Sequence, residues 1–142
     1  MKRWLLIVSA ALGVGAVIFI AALPALKRQG ELTECKHQMR AILCVACGMW
    51  PEEHGDHLPS DFVSMSPQYI STPAILFCRA DHSHPRVWNW ALFNEKNCSY
   101  EIVSPGVSKS DTSHVFMRCK VHGLVGYVDG RLLDSSGKLV SW

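Results

Sequence analysis

The chain has 142 residues, of which 49% are hydrophobic and 18% are charged, and its formal net charge is +2. That length allows one small domain beside an apolar N-terminal segment. When Lys2 and Arg3 are set aside, 12 basic residues balance 12 acidic ones, and the sequence has no basic stripe interleaved with aromatic residues. This balance argues against nucleic acid as a partner, because binding to its phosphates depends on clustered positive charge.

The first predicted element is an apolar helix. Residues 4–26 form a run of 23 residues without a charge. As a helix this run would extend about 34 Å, enough to cross the roughly 30 Å core of a lipid bilayer. A cleaved signal peptide and a buried helix of a soluble domain are the alternatives, but the run is longer than the hydrophobic region of most signal peptides. We therefore predict a transmembrane anchor over residues 1–27.

The cysteines suggest on which side of the membrane the rest of the chain lies. Six cysteines in the remainder of the chain are typical of small domains in oxidising compartments. The prediction is a single-pass protein of the inner (cytoplasmic) membrane, with a cytoplasmic N-terminus and an extracytoplasmic, periplasmic C-terminal domain. Within the anchor, Gly13, Gly15 and Ala16 would let another helix approach closely, and Pro24 would kink the helix. A homo-oligomer formed through this helix is one expected assembly.

An amphipathic helix is predicted over residues 28–50, next to the anchor. Its apolar residues recur at three- and four-residue spacing, which is the pattern of a helix with one buried face. They are Leu32, Cys35, Met39, Ile42, Leu43 and Ala46. Gly48 and Pro51 are expected to end this helix.

Residues 51–142 are predicted to form a small head domain with several short strands. Residues 74–78 and 98–103 are candidate strands. A β-meander is predicted over residues 113–119, 124–128 and 131–133, with residues 138–142 as a further candidate. Asp129-Gly130 favours a two-residue hairpin turn in which both residues have positive φ. The predicted fold class is α+β, with a long N-terminal helix packed on a small antiparallel sheet.

Two interpretations compete for the cysteines and histidines of the head domain. A disulfide between Cys78 and Cys119 would close a loop of about 40 residues and would stabilise a small core by roughly 3–4 kcal/mol; Cys35 and Cys98 are candidates for a second bridge. A tetrahedral zinc site is the alternative, and its candidate ligands are Cys78, His82, Cys119 and His122. The predicted oxidising compartment favours the disulfides.

Cys44 and Cys47 form a C-x-x-C pair near the end of the predicted helix. Redox motifs of this spacing usually lie at a helix N-terminus, where the helix dipole stabilises a thiolate. At a helix C-terminus the thiolate is disfavoured. Small core residues or a local disulfide are therefore the preferred interpretation, and redox or metal chemistry is the alternative.

Several stretches resemble, in order along the chain, the type IV pilin and type II secretion pseudopilin superfamily. They are residues 21–28 (AALPALKR), 35–42 (CKHQMRAI), 49–59 (MWPEEHGDHLP), 64–81 (SMSPQYISTPAILFCRAD), 97–106 (NCSYEIVSPG) and 118–130 (RCKVHGLVGYVDG). The last stretch resembles the His…Asp-Gly ending of a pseudopilin-like branch with a modified C-terminal domain. The resemblance implies a helix packed on a sheet and a structural function. It implies a membrane-anchored subunit of a secretion or pilus-type assembly, which contacts the lipid bilayer and other pilin-like or secretion-system subunits.

The N-terminal residues differ from those of prepilins. Prepilins carry a glycine, usually a phenylalanine or methionine, and then a glutamate, whereas only Met-Lys-Arg precedes the apolar run here and Glu31 is the first acidic residue. We therefore expect an unprocessed relative. A true filament-forming pilin subunit is one alternative function, and a membrane-anchored metal-binding or thiol-redox domain is the other.

No catalytic residue and no cofactor is predicted, and the chain is not expected to be an enzyme. The sequence lacks the Gly-x-Ser-x-Gly and His-Glu-x-x-His signatures. Because major pseudopilins hold calcium in a C-terminal loop, the resemblance raises Asp111, Asp129 and Asp134 as calcium ligands. Asp129 and Asp134 are already explained as turn residues.

Overall fold

The computed structural model describes the backbone of residues 2–140 and the side chains of residue 20 and residues 22–140. A long helix, α1 (Lys2–Leu43), is continued by a π-helical segment (Cys44–Met49) and a short helix, α2 (Trp50–Glu53). Three short 3-10 helices follow, at Pro73–Leu76, Trp90–Leu92 and Glu95–Asn97. The sheet then forms from β1 (Tyr100–Ile102), β2 (Val115–Cys119), β3 (Val125–Tyr127) and β4 (Leu132–Leu133).

The four strands are paired in chain order, and every neighbouring pair is antiparallel. Helix α1 packs on this sheet, so the predicted α+β fold class is confirmed. The strands β1 to β4 lie within the predicted runs but are shorter than these. The last predicted run, residues 138–142, contributes a single bridge between Leu133 and Leu139 within the described residues.

Helix α1 contacts the sheet through the face that its apolar spacing predicts. Cys35, Met39 and Ile42 have no exposed surface, and Leu43 is 2% exposed. Full burial of such an aliphatic side chain contributes about 1.5–3 kcal/mol to folding. The helix is continuous past Pro24 and Gly30, so the predicted anchor and the predicted amphipathic helix are one element.

The predicted transmembrane anchor is wrong. Among the helices of the described residues, none is both long enough and apolar enough to cross a membrane.

The predicted location depended on that anchor and is wrong with it. This applies to the single-pass inner-membrane placement, to the cytoplasmic N-terminus and to the periplasmic head domain. The predicted helix-packing residues Gly13, Gly15 and Ala16 lie outside the residues whose side chains the structure describes. The fourth predicted packing residue, Pro24, is exposed.

The predicted strand at residues 74–78 is also wrong. Pro73 occupies the first turn of a 3-10 helix (Pro73–Leu76), and the Thr72 side chain accepts a hydrogen bond from the Ala74 amide at 3.4 Å. A proline in the first turn and a capping threonine before it are helix-start signals. They override the apolar composition of this stretch, which remains buried at Leu76 and Phe77.

The hairpin between β3 and β4 is present, but its turn differs from the prediction. Gly130 has a φ of 83°, whereas Asp129 is not among the described residues with positive φ. The Tyr127 amide donates to the Arg131 carbonyl at 2.8 Å, and the Gly130 amide donates to the Tyr127 carbonyl at 2.9 Å. The loop is therefore a three-residue type, in which a glycine with positive φ completes the turn.

Gly126 in β3 brings α1 and the sheet close together. A Cβ atom built at this glycine would lie 2.7 Å from Leu43 Cδ1 and 3.0 Å from Leu43 Cδ2. No real side chain tolerates such a contact without movement. The absence of a side chain at Gly126 thus lets Leu43 pack directly against the strand.

Candidate metal centre

Four side chains that are distant in sequence meet where α1 crosses the sheet. Each offers one potential ligand atom, and these four atoms all lie within 4.8 Å of one another. They belong to Cys35, Cys78, Cys119 and His122, of which the three cysteines are buried and the histidine is half-buried. We call this group the Cys3His cluster.

The spacing of the four atoms is that of a tetrahedral metal site. With Zn–S bonds of about 2.3 Å and Zn–N bonds of about 2.05 Å, tetrahedral geometry places two sulfurs about 3.8 Å apart and a sulfur and a nitrogen about 3.6 Å apart. Cys35 Sγ lies 3.5 Å from Cys119 Sγ. His122 Nδ1 lies 3.3 Å from Cys78 Sγ and 4.0 Å from Cys119 Sγ. These three distances lie within about 0.4 Å of the tetrahedral values, and the remaining pairs of ligand atoms lie within 4.8 Å of each other.

The β2–β3 turn positions two of the four groups. Cys119 is the last residue of β2, and its amide and carbonyl are bonded to the Leu124 carbonyl at 2.9 Å and the Gly123 amide at 3.0 Å. Gly123 has a φ of 65°, which closes the turn. The turn aims the His122 amide at Cys119 Sγ, with a distance of 3.4 Å. An amide that donates to a sulfur stabilises its thiolate form, which is the form that binds a metal.

Cys78 is positioned by a buried serine. The Ser99 hydroxyl accepts a hydrogen bond from the Cys78 amide at 2.9 Å and donates one to the Asp81 carboxylate at 2.7 Å. Ser99 is completely buried and its backbone is bonded to Leu76 and Lys120. Such partners of a ligand fix its orientation and influence metal affinity.

Cys35 brings α1 into the cluster and has its own polar neighbours. Its sulfur lies 3.5 Å from the Tyr100 hydroxyl, which donates a hydrogen bond to Gln38 Oε1 at 2.9 Å. Burial raises the pKa of Tyr100, so this hydroxyl keeps its proton. Cys35, Gln38 and Tyr100 therefore hold α1 and β1 together beside the cluster.

The three clustered thiols share protons unequally. Hydrogen bonds from the Cys35 and Cys78 thiols lower the pKa of Cys119 well below its usual range. The hydrogen bond to Cys119 in turn raises the pKa of Cys35, and it raises the pKa of Cys78 to about 11. Cys119 is therefore the thiol that ionises first, and a bound divalent cation would favour loss of the protons of Cys35 and Cys78 as well.

The structure brings together three of the four residues proposed from the sequence as zinc ligands. These are Cys78, Cys119 and His122; His82 is exposed and lies outside the group. Cys35 takes the fourth position. The sequence correctly predicts that Cys35 lies on the buried face of α1. Because Cys35 occurs at the spacing of the apolar residues, the sequence indicates a core residue and not a potential ligand. The one signal that the sequence offers is a third cysteine on a predicted buried face, and the sequence does not show where that face meets Cys78 and Cys119.

The proposed disulfides are not formed in the structure, where all six cysteines are free. Cys78 and Cys119 share the cluster with His122 rather than a bond. Cys98, the proposed partner of Cys35, donates from its sulfur to the Tyr100 carbonyl at 3.0 Å. It is as well buried as the clustered cysteines but does not belong to the group.

Cys44 and Cys47 lie in the π-helical segment, away from the cluster. Cys44 is exposed, whereas Cys47 is buried, and burial raises the pKa of the Cys47 thiol to about 12. A thiol with so high a pKa is a poor nucleophile at neutral pH. Cys47 thus has the properties of a core residue, as predicted, whereas the prediction of a core position is wrong for the exposed Cys44.

Two of the three acidic residues proposed as calcium ligands, Asp129 and Asp134, are engaged in turns. Asp129 pairs with Arg131, and Asp134 Oδ1 accepts hydrogen bonds from the amides of Ser136 at 2.9 Å and Lys138 at 3.0 Å. Within the described part of the chain, the Cys3His cluster is the one group of three or more His, Cys, Asp or Glu side chains that could hold a metal ion.

Comparisons of the chain with protein-family models, with curated proteins and with solved structures found no match.

Proposed function

We propose that this chain is a metal-binding protein in which one zinc ion, held by the Cys3His cluster, fastens helix α1 to the sheet. The observation that carries the proposal is the convergence of four soft donor atoms within 4.8 Å from three separate parts of the chain. Three sulfurs and one imidazole nitrogen in a tetrahedral arrangement are a preferred donor set of zinc.

The role of the ion would be structural. Catalytic zinc sites use three protein ligands and leave the fourth position open for water or substrate, whereas structural sites use four protein ligands. Here the cluster offers four, and its three cysteines are no more than 1% exposed. The proposed zinc would cross-link α1, the segment around Cys78 and the β2–β3 turn. Its binding energy would then contribute to the stability of the fold.

The experiment is metal analysis of the purified full-length chain and its variants. Zinc is expected at one ion per chain in the wild type and at a small fraction of that in Cys35→Ser, Cys119→Ser and His122→Ala. Cys98→Ser is the matched control, because Cys98 is equally buried and lies outside the cluster. Retention of zinc by the Cys35 and Cys119 variants would contradict the proposal. Iron in place of zinc would keep the site and change the metal.

We propose as a second function that the chain is a pilin-like structural subunit that associates through α1. Residues 23–30 of α1 are exposed, and Ile20, Leu23 and Leu26 place apolar side chains at three-residue spacing on that stretch. Apolar residues at this spacing share one face of a helix. A second copy of the chain would present the same stripe, so the two helices could pack on each other. The resemblance to pseudopilins supports this arrangement.

Sedimentation of the full-length chain tests this second function. The wild type is expected to form oligomers, and Leu23→Lys with Leu26→Lys is expected to shift it to monomers. Ala25→Lys is the control, because Ala25 is also exposed on α1 and lies on the side of the helix opposite Leu23. A wild type that sediments as a monomer at all concentrations would contradict the second function and would leave the zinc proposal unaffected.

A further inference from the structure

Two of the clustered thiols are placed closely enough to react with each other. Cys35 Sγ and Cys119 Sγ are 3.5 Å apart, and the Cys35 thiol points its proton at Cys119. A disulfide needs the two sulfurs about 2.05 Å apart. The approach required is therefore about 1.5 Å, which small movements of the two side chains can supply.

We propose that Cys35 and Cys119 form a disulfide when the cluster lacks its metal and a peroxide is present, so that the same α1–sheet junction has two alternative cross-links. The zinc ion and the disulfide exclude each other, because the bond uses the sulfur electron pairs that would bind the ion. The exclusion rests on the proposed zinc site. The bridge itself rests only on the distance between the two sulfurs.

The chemistry balances with hydrogen peroxide as the oxidant. One sulfur attacks a peroxide oxygen, the O–O bond breaks, and a sulfenic acid and one water molecule form. The second sulfur then attacks the sulfenic sulfur, the S–O bond breaks, and the departing hydroxide takes the remaining thiol proton to give a second water molecule. The two sulfurs lose two electrons in total, and the peroxide accepts them.

Open space adjoins the cluster on the Cys78 side, and we expect a peroxide molecule to approach from there. Cys78 lines an open cavity of about 620 Å³ that faces the segment from Phe77 to Arg86, and His122 is half-buried beside it. The sulfur of Cys98 is hydrogen-bonded to the backbone of Tyr100, and Cys98 does not belong to the cluster. The bridge is therefore expected within the cluster and not at Cys98.

The choice of pair also follows from the topology. Cys35 lies on α1 and Cys119 at the end of β2, so their bond would join the two elements that the proposed zinc joins. A bond between Cys78 and Cys119 would instead connect two parts of the head and leave α1 held only by packing. Proteolytic mapping distinguishes these two outcomes, because it identifies which peptides have become linked.

The test is oxidation of the full-length Cys44→Ser chain, in which the exposed C-x-x-C thiol has been removed. After chelation and treatment with hydrogen peroxide, its intact mass is expected to fall by two hydrogens, and proteolytic mapping is expected to link the peptides of Cys35 and Cys119. The zinc-loaded chain is expected to form the bridge only as it releases one zinc ion per bridge, measured with a zinc-sensitive dye.

A second variant separates the bridge from the zinc site. Cys78→Ser removes a proposed zinc ligand but neither bridging thiol, so it is expected to lack zinc and still to link Cys35 to Cys119. Cys98→Ser is the control and is expected to behave like the parent chain. A wild-type chain that never binds zinc yet forms the bridge would reject the zinc proposal alone. A linkage that includes Cys78, or no linkage at all in the chelated chain, would overturn the disulfide proposal.

Discussion

Helix α1 meets the sheet in two places that differ in chemistry. At Cys35 the contact consists of thiols, an imidazole and a tyrosine hydroxyl. Eight residues later, at Leu43, the contact is an apolar side chain pressed against the bare backbone of Gly126. Eight residues of helix span about 12 Å, so the two contacts lie at separate points of one interface.

The contact at Cys35 is conditional, whereas the contact between Leu43 and Gly126 is permanent. Packing of Leu43 against Gly126 needs only a folded chain, and its strength does not depend on solution conditions beyond those that affect hydrophobic burial. The contact at Cys35 changes with metal supply, pH and oxidant, because its strength depends on which species occupies the thiols. A change at one contact is therefore expected to leave the other in place, which experiments on each contact can measure.

The largest effect is expected from removal of the metal. With free zinc at 1,000 times its dissociation constant, binding stabilises the folded state by about 4 kcal/mol. Chelation of the wild type is therefore expected to lower the melting temperature by about 10–20 °C for a domain of this size. Cys35→Ser should show no response to the chelator. Equal melting temperatures with and without chelator in the wild type would contradict the conditional character of this contact.

The second effect concerns the permanent contact. Leu43→Ala is expected to destabilise the fold by about 3 kcal/mol, because it removes a buried side chain that fills the space beside Gly126. Chemical denaturation with and without zinc should give the same loss. Zinc content should remain at one ion per chain, since Leu43 does not touch the cluster. A Leu43→Ala chain that loses zinc while still folded would show that the two contacts are not independent.

The third effect is a dependence of zinc affinity on pH. The pKa values of Cys35 and Cys78 are raised by their hydrogen bonds to Cys119, whose own pKa is lowered. We therefore expect zinc to displace one proton each from Cys35 and Cys78, and none from Cys119, at neutral pH. Affinity is expected to rise about 100-fold per pH unit between pH 7 and 8, equivalent to about 2.7 kcal/mol.

Calorimetric titration in buffers of different ionisation enthalpy counts the released protons directly. Two protons per ion would agree with the hydrogen-bonded cluster in its metal-free form. Release of none would mean that the three thiols are already ionised before the metal binds, contrary to the inferred proton sharing.

The smallest effect is expected at a residue that positions a ligand. Ser99→Ala removes the hydroxyl that accepts from the Cys78 amide and donates to Asp81. Zinc affinity is expected to fall about tenfold, or about 1.4 kcal/mol, as is usual for a partner of a metal ligand. Ser83→Ala is a suitable control, because Ser83 also contacts Asp81 but not Cys78. An equal loss in both variants would assign the effect to Asp81 alone.

The sequence predicts the permanent contact better than the conditional one. The apolar spacing that includes Cys35, Met39 and Ile42 identifies the buried face of α1, and the strands of the sheet fall within the predicted runs. Both features depend on local periodicity. The 3-10 helix at Pro73–Leu76 differs from the predicted strand because the apolar composition of this run favours a strand, whereas its threonine and proline start signals determine the structure.

The cluster itself could be only partly predicted. Cys78, Cys119 and His122 were recognised as potential ligands from residue type. Cys35 lies 84 residues before Cys119, and no local pattern shows that α1 crosses the end of β2. His82 was included because it is close to Cys78 in sequence, but the chain after Cys78 carries it to an exposed position. The convergence of distant residues depends on how whole elements pack. The spacing of residues along the chain carries no information about that packing.

The most direct test of the conditional contact is X-ray absorption spectroscopy at the zinc edge of the purified full-length chain. We predict one zinc ion with three sulfur ligands at about 2.3 Å and one nitrogen ligand at about 2.0–2.1 Å. Loss of most of the zinc signal in Cys35→Ser, with the three sulfur ligands retained in Cys98→Ser, would place Cys35 of α1 in the coordination shell. A zinc ion bound by nitrogen and oxygen alone, or a wild-type chain that binds no zinc, would contradict it.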